Sequence, residues 1–172
     1  MLSRASVVNS LNAKEPADTS MEKIDRYLAL FNLFSKSIEV SQSASPSGID
    51  MFRFDQELIF EWRGHLTGES LFFASSQLAF EKIMLLHAKA VLHHEKAKNL
   101  LSLDIVGMLS EAGKQLLLAA GIMDYICNLI SLVKISSQRL NKQFPNPPEV
   151  DEAVCRGLYQ YYKGSAQVPD LT

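Results

Sequence analysis

FEKIMLLHAKAVLHHEKAKNLL, residues 80–101, holds three of the chain's four histidines and one of its longest helical patterns. At 100° per residue, Phe80, Met84, His87, Val91 and His94 share one face. Glu81, Lys82, Lys89, Glu95 and Lys96 fall opposite, and His93 sits at the border. The spacing predicts an amphipathic helix that ends near Leu101, with Ser75 or Ser76 as its cap. His87 and His94 point the same way but lie seven residues apart, about 10 Å along the axis. Two imidazoles on one zinc must come much closer, and helical metal signatures use i, i+3 or i, i+4 spacing. A helical-bundle metal carrier or enzyme built on His87, His93, His94 and Glu95 is therefore the rival reading, and a packing role is preferred. His65, in a glycine-bounded loop, is a further imidazole without a partner in the pattern.

After a turn at 102–104 the periodicity becomes cleaner. Ile105, Leu109, Ala112, Leu116, Ala119, Met123, Ile126, Ile130 and Val133 recur at alternating steps of four and three. Two apolar-striped helices with a short connection predict an antiparallel hairpin. Gly113, Ala119, Ala120 and Gly121 are small enough to let a neighbouring backbone approach. LLLAAGIMDYICNLISLV, residues 116–133, is just long enough to span a bilayer. Asp124 near its centre would cost about 2.5–3.5 kcal/mol there, so a buried helix of a soluble protein is expected instead.

Working outward, residues 1–18 read as a flexible leader, with too few arginines for a transit peptide and no apolar core for a secretion signal. Thr19 and Glu22 form a T-x-x-E capping box. A helix is predicted from there to about Ser41, with Ile24, Tyr27, Leu28, Phe31, Phe34 and Ile38 as its stripe. SQSASPSG, residues 41–48, is a loop. ELIFEW, residues 57–62, is short and branched or aromatic, extended or briefly helical. QFPNPP, residues 143–148, stops the long helix. VDEAVCRGLYQYYKG is the last helical piece, and residues 165–172 are expected to fray.

Composition excludes several functions. The 172 residues carry a net charge of −2 with no basic run, so nucleic acid is not an expected partner. Two distant cysteines, Cys127 and Cys155, suit a reducing compartment and exclude a cysteine-rich zinc module. No nucleophile elbow, Walker loop or dinucleotide fingerprint occurs. Glu57, Glu61 and Glu81 lie near aromatic residues, yet solvated or ion-paired helix positions explain them more simply. Neither catalysis nor a cofactor is expected.

The order of these pieces resembles the BRO domain family of endosomal scaffolds, the Alix, Brox and rhophilin type. The family's F-x-W strand matches Phe60 and Trp62. Its helix reading L-x-(F/W)-E-(K/R) matches Leu78, Phe80, Glu81 and Lys82, followed by Ala88 and Ala90. The next helix, EAGKQLLLAAGIMDYI, is similar to A-x-K-x-(F/Y)-Q-x-A-A-G through Ala112, Lys114, Ala119, Ala120 and Gly121. Tyr27 begins a segment like the family's tyrosine-leucine helix, and Leu158 and Gln160 align downstream. His87 replaces a common asparagine, and Leu117 replaces a glutamine. The similarity spans about residues 21–163, and residues 19–164 are read as one BRO-like domain, partial because the family's domain is much longer. The resemblance implies an all-α, tetratricopeptide-like stack of antiparallel hairpins, with one short β segment near 57–62. It also implies a cytoplasmic adaptor, recruited to endosomes, that grips the C-terminal helix of an ESCRT-III filament subunit in a groove. Membrane association would come only through partners. Leu158, Tyr159, Tyr161 and Tyr162 are the expected partner contacts. A truncated fragment without independent binding is the further alternative. No prenylation box is present.

Overall fold

The computed structural model describes residues 4–13, 15–44, 59–64, 66, 72–103, 106–133 and 147–167. Its elements are α1 (Arg4–Asn12), α2 (Ala17–Ala44), β1 (Phe60–Arg63), β2 (Phe72–Ser75), α3 (Leu78–Leu101), α4 (Val106–Val133) and α5 (Glu152–Gln167). Among the described residues the fold is all-α with one two-stranded antiparallel ribbon.

Partner residues fix the helix directions. Lys89 and Lys96 of α3 reach Asp25 and Asp18 of α2, so numbering rises on one helix as it falls on the other. Lys82 meets Tyr125 and His93 meets Gln115, which makes α3 and α4 antiparallel as well. A side chain at Gly113 would meet the Ala166 carbonyl, while Cys127 lies electrostatically close to Cys155, so α4 and α5 also run oppositely. The result is an up–down array in which α3 packs between α2 and α4, and α5 covers the far side of α4. Short connections explain this arrangement, because adjacent helices with short links pack as antiparallel neighbours.

The α4 stripe is the expected one: Ala112, Leu116, Ala119, Met123, Ile126 and Ile130 are all buried. Ile105 lies outside the described residues. By length and composition alone α4 could cross a membrane, yet its buried stripe packs on α3 and α5. The small residues behave unequally. Ala119 and Ala120 are buried, and Gly113 places a would-be Cβ 3.6 Å from Ala166 O. Gly121 has open space instead of a close neighbour, contrary to the expectation for it.

Helix α3 departs from its two-faced prediction. Phe80, Glu81, Ile83, Met84, Leu85, His87, Ala88, Ala90, Leu92, His93 and Ala97 are buried, which is most of its circumference. A helix flanked on both sides has no broad solvent face, so Glu81 and His93 are enclosed rather than solvated. Neither Ser75 nor Ser76 caps it. Gln77 occupies that position without a side-chain cap, and its carbonyl accepts from the amides of Phe80 and Glu81. Ser75 ends β2, where its hydroxyl accepts from the Gln77 amide at 3.1 Å.

The expected leader is also corrected. Residues 4–12 form α1, and Val7 is fully buried in the core. The turn into α2 is tied by Ser10, whose hydroxyl donates to Glu15 at 2.7 Å and lies 3.0 Å from that of Ser20. Lys23 completes the knot, reaching Glu15 at 2.6 Å. Helix α2 starts at Ala17, two residues before the proposed Thr19 cap, and continues to Ala44. Ile24, Leu28 and Phe31 of its stripe are buried, and Phe34 is exposed.

The β segment is real and has an unforeseen partner. Phe60 pairs with Ser75 and Trp62 with Phe73, so Phe60, Trp62 and Phe73 face inward while Glu61 and Arg63 face out. At the other end, Asp151 Oδ1 accepts from the amides of Ala153 and Val154 at 2.8 and 3.2 Å, a side-chain N-cap that starts α5. Helix α5 continues through Gln167 with Ala166 buried, so the expected fraying does not begin at 165.

Candidate functional site

Two polar constellations stand out, and the first positions the second. Glu81 has no exposed surface, yet three donors from three other elements converge on its carboxylate. Arg4 Nε of α1 donates to Oε1 at 2.9 Å, Tyr27 Oη of α2 donates to Oε1 at 3.2 Å, and Trp62 Nε1 of β1 donates to Oε2 at 2.5 Å. Arg4 also donates to the Glu61 carbonyl and lies over the rings of Trp62 and Phe60, 5.3 and 5.9 Å from their centroids. Burial and the neighbouring Glu81 charge push the Tyr27 phenol well above its usual range. A buried carboxylate is tolerable only when its lone pairs are used in this way. The knot therefore pins α1, α2 and β1 onto α3, and it sets where α2 lies across that helix.

With α2 held there, a groove opens between α2 and α4, floored by α3. Met21, Asp18, Glu22, Asp25 and Arg26 form one wall, Gln115 and Leu118 the other, and Lys89, His93 and Lys96 the floor. Its volume is about 540 Å³. Lysines recur every seven residues along the floor. Lys96 reaches Asp18 at 2.6 Å and Lys89 reaches Asp25 at 2.5 Å, so the rim charges are paired. Lys82 donates to Tyr125 Oη at 2.9 Å and lies over that ring. Beyond Leu118 the α4 wall continues as Ile122, Tyr125, Leu129 and Leu132, a stripe at four- and three-residue steps. Leu118, Tyr125 and Leu132 are exposed, with Leu132 82% accessible. Leu30 and Leu33 of α2 are exposed as well. Exposed apolar side chains repeated along one face of α4 are of the kind that marks an interaction site.

At the floor, His93 Nδ1 lies 2.7 Å from Gln115 Oε1, and Gln115 Nε2 donates to Glu111 Oε1 at 2.8 Å. Burial is the main cause holding the His93 pKa below its ordinary value.

The histidines are not brought together. His87 is enclosed in the core, His93 faces the groove, and His94 packs on Tyr162 and Tyr161 at centroid distances of 5.2 and 5.9 Å. Glu95 is exposed, and His65 lies outside the described residues, as does Glu57. Among the described residues no group of three or more His, Cys, Asp or Glu converges as metal ligands would. Cys127 and Cys155 are buried free thiols, and burial, followed by the nearby Cys127, pushes Cys155 up to about 12.

The expected partner contacts on α5 divide. Tyr162 is only 4% exposed, so it is a core residue and not a surface contact. Cys155, Leu158, Tyr159, Tyr162 and Ala166 form the three- and four-step stripe that faces α4, which explains the burial. Leu158 and Tyr159 are half-buried, and only Tyr161, 55% exposed, remains accessible. The residues that carry the resemblance are mostly interior: Phe60, Trp62, Phe80, Glu81, Ala119 and Ala120 are buried. Lys82 is half-buried on Tyr125, Gly121 is exposed, and Lys114 is exposed beside Glu111 at 3.6 Å.

The geometry defines a helical scaffold with an open groove across three helices. Comparison with protein-family profiles, characterised proteins and solved structures gave no match.

Proposed function

We propose that this chain is a non-catalytic BRO-type adaptor of the endosomal sorting (ESCRT, multivesicular body) pathway, cytoplasmic and recruited to endosomes, which takes the C-terminal helix of an ESCRT-III filament subunit into the groove between α2 and α4. The observation that carries this reading is the groove, whose α4 wall at Leu118 continues along the helix into the exposed side chains of Tyr125 and Leu132. Amphipathic helices bind such surfaces by laying residues at i, i+3, i+4 and i+7 between two ridges. Further support comes from the Trp62–Glu81 hydrogen bond, which joins two of the positions on which the family resemblance rests.

Calorimetric titration with a peptide of an ESCRT-III C-terminal helix tests the proposal. Micromolar binding is expected for the wild-type protein, and Leu118→Glu should weaken it at least tenfold, about 1.4 kcal/mol. Leu118 is half exposed, so the substitution is tolerated by the fold. Absence of binding at high micromolar concentration would contradict the proposal.

A further inference from the structure

We propose that the groove floor contains a hydrogen-bonding subsite, in which His93 Nε2 accepts a proton donor from an uncharged hydroxyl or amide side chain of a docked partner helix. This inference rests on the helix-in-groove reading and adds the chemistry of what the helix must carry.

The assignment follows from a chain of obligations. Glu111 as a carboxylate can only accept, so the Gln115 amide must turn its NH₂ toward it at 2.8 Å. That leaves Gln115 Oε1 facing His93 Nδ1 at 2.7 Å. An oxygen at that distance requires the proton on Nδ1, and the neutral ring then carries its lone pair on Nε2. His93 is more than nine-tenths buried and lines the groove, and Nε2 has no partner among the described residues. Nε2 keeps contact with the solvent of the groove, where a donor on a docked helix can take the place of water.

The surroundings select a neutral donor. On α2 the facing charges are Asp18, Glu22, Asp25 and Arg26; on α3, Lys89 and Lys96; on α4, Glu111 and Lys114. Asp18 is held by Lys96, Asp25 by Lys89 and Glu22 by Arg26, so the rim offers little net attraction to an ion. A lysine placed at Nε2 would sit beside Lys89 and Lys96, whereas serine, threonine, asparagine or glutamine brings no such conflict. Met21 and Leu118 flank the ring, so the residues on either side of the donor should be apolar. Protonation would turn Nε2 into a donor and set it against the partner's own donor. Binding should therefore weaken as pH falls through the His93 pKa.

The test is a fluorescence anisotropy titration of the labelled ESCRT-III helix peptide at about pH 7.5 and about pH 5, using wild type, His93→Phe and Leu118→Glu. Loss of one buried hydrogen bond predicts about tenfold weaker binding for His93→Phe at the higher pH. It also predicts acid-weakened binding for wild type but not for His93→Phe. Nitrogen-15 NMR of the free wild-type protein should find the neutral proton on Nδ1, a readout that does not depend on how the variant folds. A proton on Nε2, or equal affinities for wild type and His93→Phe, would overturn the subsite while leaving the adaptor reading intact. A wild-type protein that binds no peptide would remove the adaptor reading, and the subsite with it.

Discussion

Arg4→Met is the sharpest probe of the polar knot that seats α1 and α2 on α3. The substitution keeps a long apolar stem, so Val7 and the rest of α1 retain their packing surface. Among the described residues it removes the one cation bound to a carboxylate that has no exposed surface, leaving Glu81 with Tyr27 and Trp62. Hydrogen bonds to charged groups contribute about 1.5–3 kcal/mol. Stripping one partner from a fully buried pair costs about 3–5 kcal/mol. The Arg4 side chain is 30% exposed, and water screens its end of the pair, so the lower range applies. The expected loss is about 2–3 kcal/mol, and urea slopes of about 1–3 kcal/mol/M turn this into a midpoint shift of roughly 1 M. Trp62 is the sole tryptophan and hydrogen-bonds to Glu81, so its fluorescence reports the transition from within the knot. In a double-mutant cycle, Arg4→Met and Glu81→Gln should show a coupling of at least about 1 kcal/mol. A loss below about 0.5 kcal/mol for Arg4→Met, or additive single effects, would refute the claim that α1 is fastened through Glu81.

Three further expectations concern the groove and its neighbours. Gly121 lies inside α4 with nothing near its missing Cβ, so Gly121→Ala should raise stability by about 0.5–1 kcal/mol in thermal unfolding; destabilisation would mean a close neighbour occupies that space. Tyr162→Ala should cost about 3–5 kcal/mol in chemical denaturation and Tyr161→Ala less than about 0.5, since one tyrosine is in the core and the other is not; similar costs would contradict the α5 orientation. His93 has a folded pKa below its unfolded value, so the unfolded chain binds more protons in between. Its contribution is complete above the unfolded pKa and falls away as pH drops toward the folded one. Stability measured between about pH 7 and pH 5 should decline with acid, more steeply for wild type than for His93→Gln, and equal slopes would show that the ring is not buried neutral.

The α4 stripe was legible because a single local rule decides it: apolar residues at helical spacing bury together whatever they meet. The α3–α4 hairpin followed from that rule and a short connection. Glu81 was not legible, because burial of a carboxylate depends on Arg4, Tyr27 and Trp62, which are distant in sequence. Helix α1 escaped for a related reason. Val7, Val8 and Leu11 make a weak stripe in a nine-residue segment, and its order comes from the Glu81 contact and the Ser10–Glu15–Lys23 knot. A helix this short is marginal by itself, so propensity could not find it. The histidines cluster in the sequence, yet helical rotation sends His87, His93 and His94 into three environments. The groove needed α2 to be placed across α3, and no residue within α2 states that. Tyr162 could have been recognised as core, since Cys155, Leu158 or Tyr159, Tyr162 and Ala166 carry the correct period.

Docking of a partner helix in the α2–α4 groove can be followed residue by residue by mapping amide chemical shifts of the wild-type protein during titration with the ESCRT-III helix peptide. The largest changes should run from Met21 and Asp25 on α2, through His93 on α3, to Leu118 and Tyr125 on α4, with Tyr161 little affected. Changes centred on Tyr161 and the outer face of α5, or none at saturating peptide, would contradict docking in this groove.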